Sequence, residues 1–137
     1  MKGLAFFDSN IFVYTDDAFR PEKKAKAVSL IAQYQRTGMA LVSLQVLQEY
    51  FAAATRKLGV APELAQQKVE LMSRMRVVRL DASDVVSSIE LHRLHSISFW
   101  DALIVQAADK GGAEIVFTED LQPGSTWRGV RVVNPFL

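Results

Sequence analysis

Cysteine is absent from the sequence. Disulfides and thiolate metal sites are therefore excluded. Histidine is scarce: only His92 and His95 occur, too few for a His-rich zinc centre. A divalent metal bound here has to be a hard ion held by oxygen ligands. No apolar stretch reaches the roughly 20 residues that a membrane-spanning helix needs. The run LAFF near the N-terminus is too short for a signal peptide and ends at Asp8. The reading is a cytoplasmic protein with no membrane partner. Neither sign of charge dominates, since 16 Lys and Arg face 15 Asp and Glu for a formal net charge of +1. Contact with a nucleic acid must then come from local patches. The four prolines are dispersed, and there is no repeat or Pro/Gly-rich linker. Residues 1–137 read as a single domain, long enough for a sizeable core.

What is present is an alternation of short apolar runs and amphipathic stretches. Residues 4–8, 39–42, 77–80, 115–118 and 130–133 read as strands. Between them lie a short helix near 11–15, capped by Ser9 or Asn10, and helices over 21–36, 44–58, 62–74, about 83–95 and 98–110. Pro21 opens the second of these, and Gly38, Gly59 and Gly111-Gly112 close helical runs. The expected apolar stripe of helix 44–58 is Leu44, Leu47, Phe51, Ala54 and Leu58, and that of helix 21–36 is Ala25, Val28, Ile31 and Ala32. Strands apolar on both faces that alternate with helices predict an α/β fold of three layers, with a central parallel sheet of about five strands.

Direction then matters. A helix that follows a parallel strand begins at the strand's C-terminal edge, where ligands of open α/β sheets bind. Asp8 ends the first strand. Glu49 lies in the first half of the helix after the second. Asp101 lies in the first turn of the helix leading to the fourth strand, and Asp120 follows that strand. All four carboxylates are thus expected at one edge. Gathered there they repel one another, and a Mg²⁺ or Mn²⁺ ion relieves the repulsion. Such an ion suits hydrolysis of a phosphodiester.

Each acid also has a structural reading. Asp8 in DSN suits an Asx turn or helix cap. Glu49 shares a polar helix face with Gln45 and Arg56. Ser98-x-x-Asp101 has the pattern of a capping box. Asp120 suits a turn, and Glu119 beside it is able to take its place. Phe99 and Trp100 read as core, the two histidines as helix surface. Lys23, Lys24 and Lys26 read as a solvated face, as do Arg74, Arg76 and Arg79, with RNA phosphates as the alternative role for the arginines.

FFDSNIFVY, SLQVLQEYF, SFWDALIVQAA, FTED and RVVNPF, in this order and spacing, resemble the PIN-domain family, most of all its VapC-like ribonuclease toxins. The resemblance implies strand order 3-2-1-4-5 and Mg²⁺- or Mn²⁺-dependent endoribonuclease activity. It implies Asp8, Glu49, Asp101 and Asp120 as the catalytic and metal-binding acids. Asn10 would support the first acid by hydrogen bonding, and Thr118 would be the hydroxyl residue before the fourth. Ser9 stands where threonine is common, and both supply a hydroxyl. The implied partners are an RNA substrate, a cognate antitoxin protein whose tail occupies the acidic site, and a second copy of the chain in a homodimer. A catalytically inactive PIN-like module that binds RNA or protein is the alternative.

Overall fold

The computed structural model describes residues 3–137. The order of elements is β1 (Ala5–Phe7), α1 (Ser9–Tyr14), α2 (Pro21–Arg36), β2 (Ala40–Ser43), α3 (Leu44–Lys57), α4 (Pro62–Met72), β3 (Arg76–Val78), α5 (Ala82–His95), α6 (Phe99–Lys110), β4 (Ile115–Phe117), β5 (Thr126–Trp127) and β6 (Val130–Val133). The sheet runs β3-β2-β1-β4-β6-β5. Every pairing is parallel except β5 with β6. The five expected strands hold their expected order. The sixth, the two-residue β5, is an addition: it forms a hairpin with β6 and covers the free side of that strand.

From β1 the chain first builds outward to β2 and β3, then returns to the other side of β1 to build β4 and β6. The direction reverses between β1 and β4. A crevice opens at the C-terminal ends of strands at such a switch point, because the helices on either side diverge there. Asp8 and Thr118 sit at these two strand ends.

The core packs on both faces of the sheet. Phe7, Tyr34 and Phe117 form an aromatic cluster on one face, with centroids 5.1–5.6 Å apart. Helix α6 is buried along its whole middle, Ala102 to Ala108, as its uniformly apolar sequence requires. Gly112 takes φ +82° just beyond it, a backbone setting that glycine adopts without strain.

Two amphipathic stripes differ from expectation. In α3 the buried residues are Val46, Tyr50 and Ala54, while Leu44 and Phe51 are exposed. In α2 they are Ala27, Ile31 and Tyr34, while Ala25, Val28 and Ala32 are exposed. Each helix carries two overlapping apolar stripes, and periodicity alone cannot choose between them. The aromatic residue decides. Tyr34 completes the cluster under β1, and Tyr50 buries its ring while its hydroxyl donates to Asp16.

Helix α5 meets α6 through polar groups. Asp84 and Ser88 are buried, and Asp84 accepts from Gln106 Nε2 at 2.9 Å and Lys110 Nζ at 2.6 Å. These contacts hold the Asp84 carboxyl well below the usual carboxylate range, the Lys110 bond being the main cause. Arg128 joins the network from the β5–β6 turn, donating to Gln106 Oε1 and to Ser87. The network locks α6 in place and with it the position of Asp101.

Candidate metal centre

Asp8 closes β1 and caps α1. Its Oδ1 accepts the N–H of Ser9 at 2.7 Å, so the cap is Asp8 rather than Ser9 or Asn10. Its Oδ2 accepts the hydroxyl of Thr118 at 2.7 Å. The side chain is only 3% exposed. Asp101 is half-buried in the first turn of α6, and Asp120 lies two residues past Thr118. Each of the three offers a carboxylate oxygen, and these oxygens lie within 4.8 Å of one another.

Ser98 caps α6 by accepting the backbone N–H of Asp101 at 3.0 Å. The cap uses the main chain of Asp101, which leaves its carboxylate to turn toward Asp8 and Asp120. Only the Ser98 half of the expected capping box is formed, and the Asp101 carboxylate is at the cluster instead of closing the box.

Glu49 stands beside the trio. Its Oε1 accepts from Ser9 Oγ and its Oε2 from Gln45 Nε2, each at 3.2 Å. Gln45 Nε2 also reaches the carbonyl of Trp100 at 3.2 Å, linking the first turns of α3 and α6 across the site. The supporting role of Gln45 escapes the sequence reading, although its i,i+4 spacing from Glu49 is the signal that carries it.

Glu119 is turned away. Its carboxylate accepts from Tyr14 at 2.5 Å and pairs with Lys23 at 2.8 Å. It neither replaces Asp120 nor joins the cluster. Asn10 differs from expectation in detail. Its Nδ2 donates to Thr118 Oγ1 at 3.4 Å, and Thr118 in turn donates to Asp8, so Asn10 supports the first acid through a relay. Thr118 Oγ1 also accepts the N–H of Asp120 at 3.1 Å. One hydroxyl thus uses its donor and both lone pairs to tie three site residues together.

One other residue departs from its sequence reading. Trp100 is not core: it is 62% exposed, its ring edge-on to Phe99 beside the site. Arg74 and Arg76 lie at the start of β3, the sheet edge opposite the acids, where Arg76 donates to the carbonyl of Gly38. His92 and His95 are exposed on α5, as expected, with the His95 ring against Trp127.

Burial pushes the Asp8 carboxyl up to about 7. The Thr118 and Ser9 bonds pull it down, and the charges of Asp120 and Glu49 add to the rise. Asp101 is also raised, mainly by burial, with a Ser98 hydrogen bond opposing the rise and the charge of Asp120 adding to it. Among the described residues, none of the four acids is within ion-pair distance of a Lys, Arg or His. A mutually repelling set of hard oxygen donors, running from buried Asp8 through half-buried Asp101 to exposed Asp120, with no protein cation is what a divalent ion fits. Asn10 Oδ1 is the only buried side-chain polar atom among the described residues without a partner. It needs a donor, and the waters that Mg²⁺ retains are donors of the right kind.

The model of the PIN domain matches residues 5–123 of this chain. The chain belongs to the PIN-domain family. Three solved structures share the fold. The VapC20 toxin of Mycobacterium tuberculosis, described as cleaving the sarcin-ricin loop, aligns at TM-score 0.68 and 23% identity over 85% of this chain and 91% of its own. A toxin–antitoxin complex from Klebsiella pneumoniae aligns at 0.69 and 20% over 96% and 97%. VapBC2 from Rickettsia felis, bound to a DNA fragment of its promoter, aligns at 0.63 and 19% over 84% and 86%. At these identities the likeness is one of fold. No curated protein matches the chain. Within this PIN domain the switch-point crevice and the acid cluster coincide.

Thr118 offers a direct test of how the cluster is held. Thr118→Val keeps the shape but removes three hydrogen bonds, two of them from groups left without another partner. It is expected to cost about 2 kcal/mol in urea unfolding and to push Asp8 higher still, while Thr118→Ser retains both properties. Equal stability of Thr118→Val and the natural protein would show that the hydroxyl does not organise the site.

Proposed function

We propose that this PIN domain is a metal-dependent endoribonuclease that hydrolyses RNA phosphodiester bonds, and that it is the toxin of a toxin–antitoxin pair. The observation that carries the proposal is the convergence of Asp8, Asp101 and Asp120 with no protein cation to balance them. These three would hold Mg²⁺ or Mn²⁺, with Glu49 as a further ligand or as the base that positions water. When bound, the ion supplies Lewis-acid activation of water and stabilises charge on the leaving oxygen.

The chain's own residues perform the rest. Glu49 is held at both oxygens by Ser9 and Gln45, so it presents a fixed carboxylate to a water at the mouth of the site. Placed there, the Glu49 carboxylate would accept a proton from that water. Thr118, with Asn10 behind it, keeps Asp8 oriented and favours its charged form. Ser98 fixes the first turn of α6 and so the reach of Asp101.

The toxin role is supported by the fold likeness to VapC20 and to chains found in toxin–antitoxin complexes. It entails a cognate antitoxin, a homodimer and a cytoplasmic place of action. No helix among the described residues is long and apolar enough to cross a membrane.

The test is cleavage of RNA by purified protein in Mn²⁺ and its loss with a chelator. Glu119→Gln, which alters the neighbouring acid outside the cluster, is expected to cleave within about twofold of the natural rate, because its side chain is turned to Tyr14 and Lys23 and away from the three clustered acids. RNA left intact by the Mn²⁺-loaded protein, antitoxin removed, would end the nuclease reading.

A further inference from the structure

A cleft of about 500 Å³ leads away from the acid cluster along α3. It is lined by Ser9, Glu49, Ala52, Ala53, Arg56 and Lys57. One end holds Glu49 and Ser9, which are bonded to each other at the metal centre. The other end holds two exposed cations. Among the described residues neither Arg56 nor Lys57 is in an ion pair, whereas Lys23, Lys68 and Lys110 are each paired with an acid. Between the two ends Ala52 and Ala53 leave the floor open.

Glu49, Ala52, Ala53 and Arg56 are spaced i, i+3, i+4, i+7, so they lie along one face of the helix. Seven residues of α-helix rise about 10 Å. A phosphate seated over Arg56 and Lys57 is therefore near, along the same strand, to one held at the acids.

We infer that this cleft is a phosphate track: Arg56 and Lys57 bind the backbone of single-stranded RNA a few nucleotides from the cleaved bond. The inference rests on the nuclease reading of the acid cluster. Charge supports it. The acid cluster itself repels polyanions when no metal is present, so RNA affinity must be supplied by cations nearby, and the whole molecule carries only +1. The exposed indole of Trp100, one residue before Asp101, adds a face on which an unpaired base can stack. Arg74 and Arg76 lie at the opposite sheet edge and do not serve this path.

The test uses the full chain with Arg56→Ala and Lys57→Ala combined, and a short fluorescent single-stranded RNA. Log affinity is measured against log salt. On a single strand the slope falls by about 0.7 for each phosphate the protein no longer neutralises, so the double variant is expected to bind with a slope shallower by about 1.4. Affinity at 0.1 M salt should fall about tenfold. A Lys24→Ala/Lys26→Ala control on exposed α2 positions should keep the natural slope.

Hydrolysis of bis(p-nitrophenyl) phosphate with Mn²⁺ separates the track from the chemistry. This diester is too small to reach Arg56, so the double variant should hydrolyse it at the natural rate while its KM for RNA rises. A natural protein inert toward RNA and toward the diester overturns the nuclease reading, whereas an active one whose RNA salt slope survives the double substitution overturns the track alone. An unchanged RNA slope with weakened binding of a polyglutamate peptide would make the cleft a protein-docking surface and likewise overturn it.

Discussion

Asp101→Asn is expected to leave a folded protein that no longer cleaves RNA in the presence of Mn²⁺. The fold survives because the residue's contribution to α6 is made by its backbone N–H on Ser98, which asparagine retains. The substitution is nearly isosteric and removes one of the charges that repel in the cluster, so stability should hold or rise slightly. The ion loses one of three anionic oxygens that lie within 4.8 Å of each other. Outer-shell partners of metal sites alone are worth about 10- to 100-fold, and loss of a ligand should exceed that, at least about a hundredfold in rate. The measurement is single-turnover cleavage of one RNA substrate, with thermal melting to confirm folding. A variant that melts normally and cleaves at the natural rate would remove Asp101 from the site.

The second large effect is on stability. In the metal-free protein, Asp8→Asn is expected to be more stable than the natural chain above neutral pH. The sign follows from the carboxyl of Asp8, which titrates near 7 when folded against an ordinary value of 3.8. Below about pH 4 the group is protonated in both states and has no effect. Between 4 and 7 the unfolded chain releases the proton while the folded chain retains it, so stability falls as pH rises. Above 7 the deficit is constant. A shift of this size amounts to about 4 kcal/mol. Asparagine carries no such penalty and remains a good helix cap, and the Ser9 and Thr118 bonds that favour the charged carboxylate are already contained in a titration near 7. The gain at pH 8 with chelator is therefore about 4 kcal/mol relative to the difference measured below pH 4. Mn²⁺ should reverse the ranking, since only the natural protein is stabilised by binding an ion that needs the charged carboxylate. Urea unfolding at pH 4 and pH 8, with and without Mn²⁺, reads all four values. Natural protein and variant that differ equally at both pH values would show that Asp8 is not held protonated by its surroundings.

The two effects are linked. The features that make Asp8 costly in the empty site, its burial and its acidic neighbours, are those that make the site selective for a small, strongly charged ion. Stability is given up locally and recovered on binding, a pattern expected where a cluster serves chemistry rather than structure.

Much of this arrangement is legible in the residues. The strands and helices alternate as read, and five of the six strands keep the order expected. The sheet edge on which the acids lie follows from chain direction alone: the end of a parallel strand and the start of the next helix must share one side of the sheet. Asp8, Glu49, Asp101 and Asp120 are placed by that constraint whatever their side chains do. The two-residue strand β5 is not legible, because Thr126 and Trp127 are too few to carry a period.

What only the tertiary structure decided is where side chains on one element turn. Glu119 and Asp120 are adjacent acids on one loop, and the choice between them is made by Tyr14 and Lys23, about a hundred residues away, which capture Glu119. The buried faces of α2 and α3 are settled by the aromatic partners of Tyr34 and the acceptor of Tyr50, not by apolar spacing. Asn10 reaches Asp8 through Thr118 because β1 and β4 lie side by side. Local sequence determines backbone direction through short-range sterics and hydrogen bonding. Side-chain destination depends on contacts made across the fold, and no spacing within one segment contains them.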